Sequence, residues 1–404
     1  MFNKADLRKI LNTSFYVLSS FIFQIFSLLT FYIIINKFND QSLNEYFFLT
    51  SLVAILVGGL FLGNDKLFLY TKDKFKELIY FNNLIKICFF TFITFLLIAI
   101  LINSKLLIFI SLNFILISIN YFSELNFLKH SFKYRMILFK YLPVIFFFIL
   151  SLLLKLDMIF FDLLIIFTFA NFLAASLNFF LNEKFLYKFF KTKKNFYVKF
   201  SDINKNSLII WIGDILSLLT FHLPTIFFYF LFPYENVIYN IIHKFGFIPV
   251  FLISFAISKI FDYDYFDNNK SSMFDAFSKT RTLTFIISIL YSIFFLIFIN
   301  FFGSLIFGEY SDQAIPIIIK YVLLFFILIN SSSLSTIFLI NKNYKELLLH
   351  QIFYLLIMFF SLTVAYIKND FNYFIDLFFY FSILRGIVIY TSIYFKINSY
   401  RLKV

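Results

Sequence analysis

Long apolar runs, broken by short polar segments, follow one another along the whole chain. Crossing the hydrocarbon core of a bilayer takes about 20 apolar residues in a helix, and most of the runs approach that length. The apolar residues stand in continuous blocks and do not alternate with polar ones, as they would in a membrane barrel. The pattern predicts an all-α polytopic membrane protein with about 12 transmembrane helices, near residues 11–35, 46–62, 82–103, 106–122, 137–154, 158–181, 207–231, 238–260, 282–307, 315–340, 346–367 and 371–395.

The longest polar stretch, residues 183–206, divides the predicted helices into two sets of six. It is rich in lysine, and we interpret it as a basic linker on the cytoplasmic side of the membrane. The predicted domains are an N-terminal six-helix bundle at 1–182, this linker, and a C-terminal six-helix bundle at 207–404. Because both halves start from the same side, the layout is typical of a parallel repeat.

Positive charge is distributed unevenly between the two sides of the predicted membrane. The chain has 35 Lys and Arg residues against 22 Asp and Glu residues, which gives a net charge of +13. Nearly all the basic residues fall on the side of the N-terminus. Cytoplasmic loops hold an excess of Lys and Arg, so both termini are predicted to be cytoplasmic and the number of helices even. The charge then needs no nucleic-acid partner, and anionic membrane lipids are its expected surroundings.

Composition and loop length argue against an enzyme. With 61% hydrophobic and 14% charged residues, the chain has no stretch polar enough for a soluble domain of ordinary size. The largest predicted outer loop, around 308–314, offers only Glu309 and Asp312, and two carboxylates in a turn are commonly just solvated. Phosphate-binding and zinc-binding motifs are absent, and Cys88 is the single cysteine. The sequence therefore predicts no enzyme activity, cofactor or metal site.

Several ionisable residues lie inside predicted helices of the C-terminal half. Inserting a charged side chain near the bilayer centre costs about 2.5 to 3.5 kcal/mol of free energy. Each such residue is therefore expected to have a function or a charged partner. We interpret Asn240, His243, Lys244, Lys320 and Arg385 as candidate substrate-binding residues. Their excess of positive charge favours an anionic passenger. Structural pairing between helices is the alternative for each of them.

The seventh predicted helix carries two further polar groups, Asp214 and His222. They are the candidate relay for a coupled proton or ion. Arg385 needs a partner outside its own helix, and Asp214 or a bound anion would serve. Pro224 and Pro249 interrupt the seventh and eighth predicted helices, where they free backbone groups and allow bending.

Three segments resemble one known family. NEYFFLTSLVAILVGGLFLGNDKLFLY at 44–70 resembles its second helix, VIYNIIHKFGFIPVFLISFAISKIF at 237–261 its eighth helix, and GEYSDQA within 306–314 the loop into its tenth helix. The family is the Wzx-type polysaccharide flippases, or O-antigen repeat-unit translocases, of the MOP exporter superfamily. Chain length and the six-plus-six layout agree with it, and Asn44 departs from the glycine that is commoner there.

The resemblance implies a MATE-like fold and a carrier in the bacterial inner membrane. Its substrate would be an undecaprenyl-pyrophosphate-linked oligosaccharide, flipped from the cytoplasmic to the outer leaflet by alternating access. Polymerase and chain-length proteins of the same polysaccharide pathway are the candidate protein partners. Family members have a cationic central cavity, and Lys244, Lys320 and Arg385 are the positions that match it.

Three other functions are compatible with the sequence. A cation-coupled multidrug exporter of the same superfamily would carry carboxylates deep in its first six helices, where none is predicted. An integral-membrane glycan polymerase or glycosyltransferase would need longer outer loops than this chain has. A non-transporting scaffold for envelope enzymes would leave the buried cations without a purpose.

Overall fold

The computed structural model describes most of the chain as helices. The described residues are 25–60, 74–129, 133–155, 162–181, 205–247, 249–250, 253–254, 257, 273–335, 337–338 and 343–401. Their helices are α1 Ile25–Lys37, α2 Asp40–Leu60, α3 Lys74–Leu101, α4 Lys105–Lys129, α5 Lys133–Lys155, α6 Leu163–Leu181, α7 Lys205–Leu231, α8 Pro233–Ile242, α9 Met273–Phe307, α10 Ser311–Leu334, α11 Tyr344–Lys368 and α12 Phe371–Arg401.

Eight helical stretches in the described ranges are long and apolar enough to cross a membrane. One of them, Phe277–Leu334, has 58 residues, far more than the roughly 20 that one crossing needs. It is divided by a short 3₁₀ turn at Gly308–Tyr310, where Gly308 takes a positive φ of 54°. Helices α9 and α10 are therefore joined by a tight turn, which is shorter than the outer loop predicted at 308–314.

Every predicted apolar helix overlaps a described helix, which confirms an all-helical, multi-pass membrane protein. The number of about 12 crossings and the cytoplasmic position of both termini stay predictions. Residues 1–24 and 402–404 lie outside the described ranges, as do residues 183–204 of the predicted linker.

The chain forms two compact units, residues 1–226 and 227–404. The boundary between them falls inside α7, later than the division that the sequence places at 183–206. Because most of that predicted linker is outside the described residues, its role as a linker stays a prediction.

In the first unit, α4 packs against α2, α3, α5 and α6. Asn171 donates from Nδ2 to Oδ1 of Asn113 at 3.0 Å, and Asn178 donates from Nδ2 to Oδ1 of Asn120 at 2.6 Å. Both pairs are separated by 58 residues, so α4 and α6 run in the same direction. Amide bonds of this kind hold helices together in a bilayer, where apolar burial gives no preference for protein over lipid.

The second unit contains a corresponding pair of parallel helices, α10 and α12. The ammonium of Lys320 forms an ion pair with Asp376, and the hydroxyl of Tyr321 donates to the carbonyl oxygen of Ile375 at 3.0 Å. Further along, Ile327 of α10 packs against Gly386 of α12, where a Cβ would lie 2.3 Å from Cγ2 of Ile327. Both helices advance from the first contact to this one, so they again run in the same direction. Each unit thus has a parallel helix pair joined by polar side chains, and the repeat itself stays a prediction.

Helix α8 changes form along its length. It begins with Pro233 in its first turn, where proline needs no N–H partner, and runs as an α-helix to Ile242. Residues His243–Phe247 then form a π-helical turn. A Cβ on Gly246 would lie 2.2 Å from Cζ of Phe325, so only glycine lets α10 approach this turn so closely. The sequence places the start of this helix at 238 and does not predict the π-helical turn.

Candidate functional site

Arg385 is the one buried charged residue among the described side chains, with 7% of its surface exposed. It lies midway along α12, and its guanidinium carbon sits 3.9 Å from the centre of the Tyr354 ring on α11. Its Nε donates to the carbonyl oxygen of His350 through a long bond of 3.5 Å. No carboxylate in the described part of the chain forms an ion pair with it. Its positive charge is therefore balanced by a ring face and one carbonyl dipole.

A buried cation with so little compensation points to an anionic ligand. Taking a charge out of water costs several kcal/mol, whereas a ring face returns about 0.5 to 2 kcal/mol. The two Nη groups of Arg385 have no hydrogen-bond partner among the described residues. An arginine fork of this kind matches the geometry of phosphate and carboxylate oxygens.

The ring of Tyr354 that contacts Arg385 belongs to a larger group of packed aromatic rings. Tyr354 is stacked on Phe378, with ring centres 5.6 Å apart, and Phe378 on Phe374 at 5.3 Å. Phe247, in the π-helical turn, contacts Phe378 at 6.4 Å and Tyr321 at 5.8 Å. We call this set the aromatic cluster: Tyr239, Phe247, Tyr321, Tyr354, Phe374, Phe378 and Phe379. Tyr354 and Arg385 are both buried, and a low local dielectric strengthens the electrostatic interactions of the guanidinium.

The other predicted binding residues of this region lie on α8 and in the π-helical turn that follows it, and their surroundings differ. The ring of His243 is stacked between Tyr239 and Phe247, with 6.1 Å between ring centres on each side. Asn240 is buried and donates from Nδ2 to the carbonyl oxygen of Asn236 at 2.8 Å. Lys244 is half-buried in the π-helical turn. Such turns are frequent at functional sites, and the substrate-binding role of Lys244 stays a prediction.

Lys320 has a compensated charge, unlike Arg385. It is paired with Asp376, and its ammonium lies 5.3 Å from the ring centre of Phe379 and 5.4 Å from that of Tyr380. The side chain of Asp376 is 53% exposed. Lys320 is therefore a weaker candidate for binding an anion, and its predicted role stays a prediction.

Asp214 and His222, the predicted relay groups, lie half-buried on α7 in the first unit. Nδ1 of His222 is 3.3 Å from the hydroxyl of Ser51 on α2. Since Asp214 and Arg385 belong to different units, a pairing between them stays a prediction, as does the relay.

Sequence reasoning missed Tyr354, the residue on which Arg385 lies. The chain has 26 tyrosines, so one more in an apolar run carries no signal. Sequence reasoning also gave no role at this site to His350, whose carbonyl oxygen accepts a hydrogen bond from Arg385. The sequence contains one indication of this site. His350 and Tyr354 are four positions apart and so share a face of α11.

The fold is similar to that of known transporters, whereas the sequence alone matches no family model and no curated protein. An outward-facing multidrug resistance MATE family transporter of the MOP superfamily superposes with a TM-score of 0.65 and 12% identity, over 95% of this chain and 94% of that one. A MATE in complex with MaD3S gives 0.66 and 15%, over 96% of each chain.

A third similar structure is a MOP superfamily transporter from Pyrococcus furiosus, described as having a binding pocket of reverse polarity that suggests a different function. It superposes with a TM-score of 0.62 and 14% identity, over 96% of this chain and 95% of that one. At these identities the likeness shows the fold. This chain has the fold seen in the MATE transporters of the MOP superfamily.

Proposed function

We propose that this chain is a flippase for undecaprenyl-pyrophosphate-linked oligosaccharide repeat units. It would move them from the cytoplasmic to the outer leaflet of the bacterial inner membrane by alternating access. The observation that carries the proposal is Arg385, a buried cation without a described carboxylate partner, in a fold shared with membrane transporters. A pyrophosphate group would supply the missing negative charge.

A polar site within the membrane would lower the free energy needed to move a hydrated headgroup across the bilayer. Each sugar hydroxyl costs about 1 to 3 kcal/mol to strip of water without a replacement, so unaided flipping is negligible. The lipid tail can stay in the bilayer while the headgroup passes through the protein. Outward movement of a negative charge also gains roughly 2.3 kcal/mol per charge per 100 mV when the cell interior is negative.

Lys244 and Arg385 would share the anion in this proposal. Lys244 is partly exposed and can follow a moving headgroup, whereas Arg385 is held in place. Asp214 and His222 would relay the coupled ion, if one is used, from the first unit. The polymerase and chain-length proteins of the pathway would receive the product on the outer side.

A multidrug exporter is the second candidate, because one of the similar structures is a multidrug resistance transporter. A cationic drug would need a carboxylate, and Asp214 is the mid-helix carboxylate in the described part of the first unit. Arg385 would repel such a drug. A multidrug exporter should therefore lose activity in Asp214→Asn and keep it in Arg385→Ala, and the flippase should lose activity in Arg385→Ala.

The proposal is tested by deleting the gene and measuring lipid-linked oligosaccharide on each leaflet, with a lectin or a periplasmic glycosyl acceptor as the reporter. A flippase deletion accumulates the oligosaccharide on the cytoplasmic side, and the intact gene restores its transfer. Normal sidedness with altered chain length or linkage would instead assign the protein to the enzymes and overturn the proposal.

A further inference from the structure

We propose that Tyr354 is a positioning residue for Arg385. The Tyr354 ring fixes the orientation of the Arg385 guanidinium, so that its two Nη groups can donate two parallel hydrogen bonds to a phosphate group. This inference rests on the proposed function in one respect, because it takes Arg385 to be the site of the anion. The inference goes beyond the proposed function by naming Tyr354 as the residue that orients the guanidinium. An oriented guanidinium prefers an oxyanion that accepts two parallel hydrogen bonds.

Two contacts from one turn of α11 restrain the guanidinium. The ring of Tyr354 lies 3.9 Å from its Cζ and so restrains the plane of the group. The carbonyl oxygen of His350, one turn earlier, accepts from Nε and so restrains rotation within that plane. Together they leave the edge that carries both Nη groups for a ligand. A lysine at the same place would keep the charge and lose the fork.

Tyr354 can act in this way because its own ring is fixed. Only 2% of its surface is exposed, and it is stacked on Phe378 with an angle of 24° between the ring planes. Phe378 is stacked in turn on Phe374, at 13°. Neither ring has space to turn away, so Arg385 is oriented before a ligand arrives. Orientation in advance raises affinity by lowering the entropy lost on binding.

The inference is tested on the full chain, purified in detergent and titrated with inorganic pyrophosphate by isothermal titration calorimetry. Tyr354→Phe keeps the ring, and we expect its Kd within about twofold of the unsubstituted protein. Tyr354→Leu removes the ring and should raise the Kd about tenfold. Arg385→Lys should raise it by a similar factor, because the fork is lost. Lys368→Ala, an exposed cation at the end of α11, is the control and should bind normally.

A double variant separates positioning from a general structural effect. In the Arg385→Lys background there is no guanidinium to orient, so adding Tyr354→Leu should change the Kd less than twofold further. A purely structural role for the ring would weaken binding equally in both backgrounds and would overturn the inference. Tyr354→Met, which also lacks the ring but fills the space flexibly, replaces Tyr354→Leu if that variant does not fold.

The outcomes distinguish this inference from the proposed function. If Arg385→Ala abolishes pyrophosphate binding and Tyr354→Leu binds normally, the positioning role is wrong and the anion site stands. If Arg385→Ala binds normally, the anion site and the inference are both wrong. If the binding results are as expected while the leaflet assay shows normal sidedness, the site stands and the flippase function is wrong.

Discussion

Trp211 on α7 donates its indole N–H to the carbonyl oxygen of Gly59 on α2, at 3.1 Å. A polar N–H inside a bilayer needs an acceptor, and the carbonyl oxygen of Gly59 provides one for the indole. Close packing accompanies this bond, since a Cβ on Gly58 would lie 2.3 Å from Cδ1 of Leu218. With the His222 contact to Ser51, the bond forms a seam between α2 and α7 inside the first unit.

We expect Trp211→Phe to lower the free energy of unfolding by about 1 kcal/mol, because it removes the donor and keeps an aromatic ring. A thiol-reactive dye reports unfolding cleanly, since Cys88 is buried and is the only cysteine in the chain. Unchanged thermal unfolding would show that the bond to Gly59 adds no stability. Tyr366→Phe, at an exposed position on α11, is the control and should leave the transition unchanged.

Gly246 and Gly213 should respond oppositely to alanine. At Gly246 the new methyl group meets the ring of Phe325, which is fully buried, and the overpacking should cost about 1 to 3 kcal/mol. At Gly213, inside α7, nothing lies within 4 Å of a new Cβ. Alanine there should stabilise the helix by about 0.5 to 1 kcal/mol. Thermal unfolding of the two variants measures both effects, and shifts in the same direction would contradict the packing described for α8.

The amide pair of Asn113 and Asn171 should show coupling in a double-mutant cycle. Hydrogen bonds between membrane helices average about 0.6 kcal/mol and reach about 1.7 kcal/mol. Asn113 also donates to Oγ1 of Thr168 at 2.7 Å, so Asn113→Ala should cost more than Asn171→Ala. Chemical unfolding of the two single variants and the double variant gives the coupling energy. Strict additivity would mean that the pair does not join α4 to α6.

Arg385→Ala and Lys244→Ala should each reduce transport of lipid-linked oligosaccharide without lowering the amount of protein in the membrane. The reason is that each removes a positive charge from the proposed anion path, while exposed lysines contribute little. Lys368→Ala is the matched control and should transport normally. Wild-type transport in both test variants would remove these residues from the substrate site.

Much of the fold was predictable because a bilayer imposes a simple rule on the sequence. Each crossing needs a continuous apolar block, and every predicted block overlaps a described helix, although several helices extend six to nine residues further into polar sequence. The start of α8 was missed because Pro233 and Glu235 look like a turn, although proline in a first turn and an acidic residue beside it are typical helix beginnings. The π-helical turn depends on packing against α10, which local sequence does not encode.

Only the charged residues of the candidate site could be predicted from the sequence. Arg385 stands out because a cation in an apolar run is costly and therefore rare. Its surroundings do not stand out, because Tyr354 and Phe378 are two aromatic residues among many in this chain. Lys320 looked equivalent to Arg385 in the sequence, and its partner Asp376 could be recognised only once α10 and α12 were seen side by side.

The π-helical turn of α8 also bears on how this protein can evolve. A π-helical turn forms when one residue is inserted into an α-helix whose two ends stay in place. One extra residue rotates everything beyond it by about 100°. The residues before His243 therefore no longer have to follow the same helical repeat as the residues after Phe247. Mutations in the turn can change its packing without changing the rest of the helix.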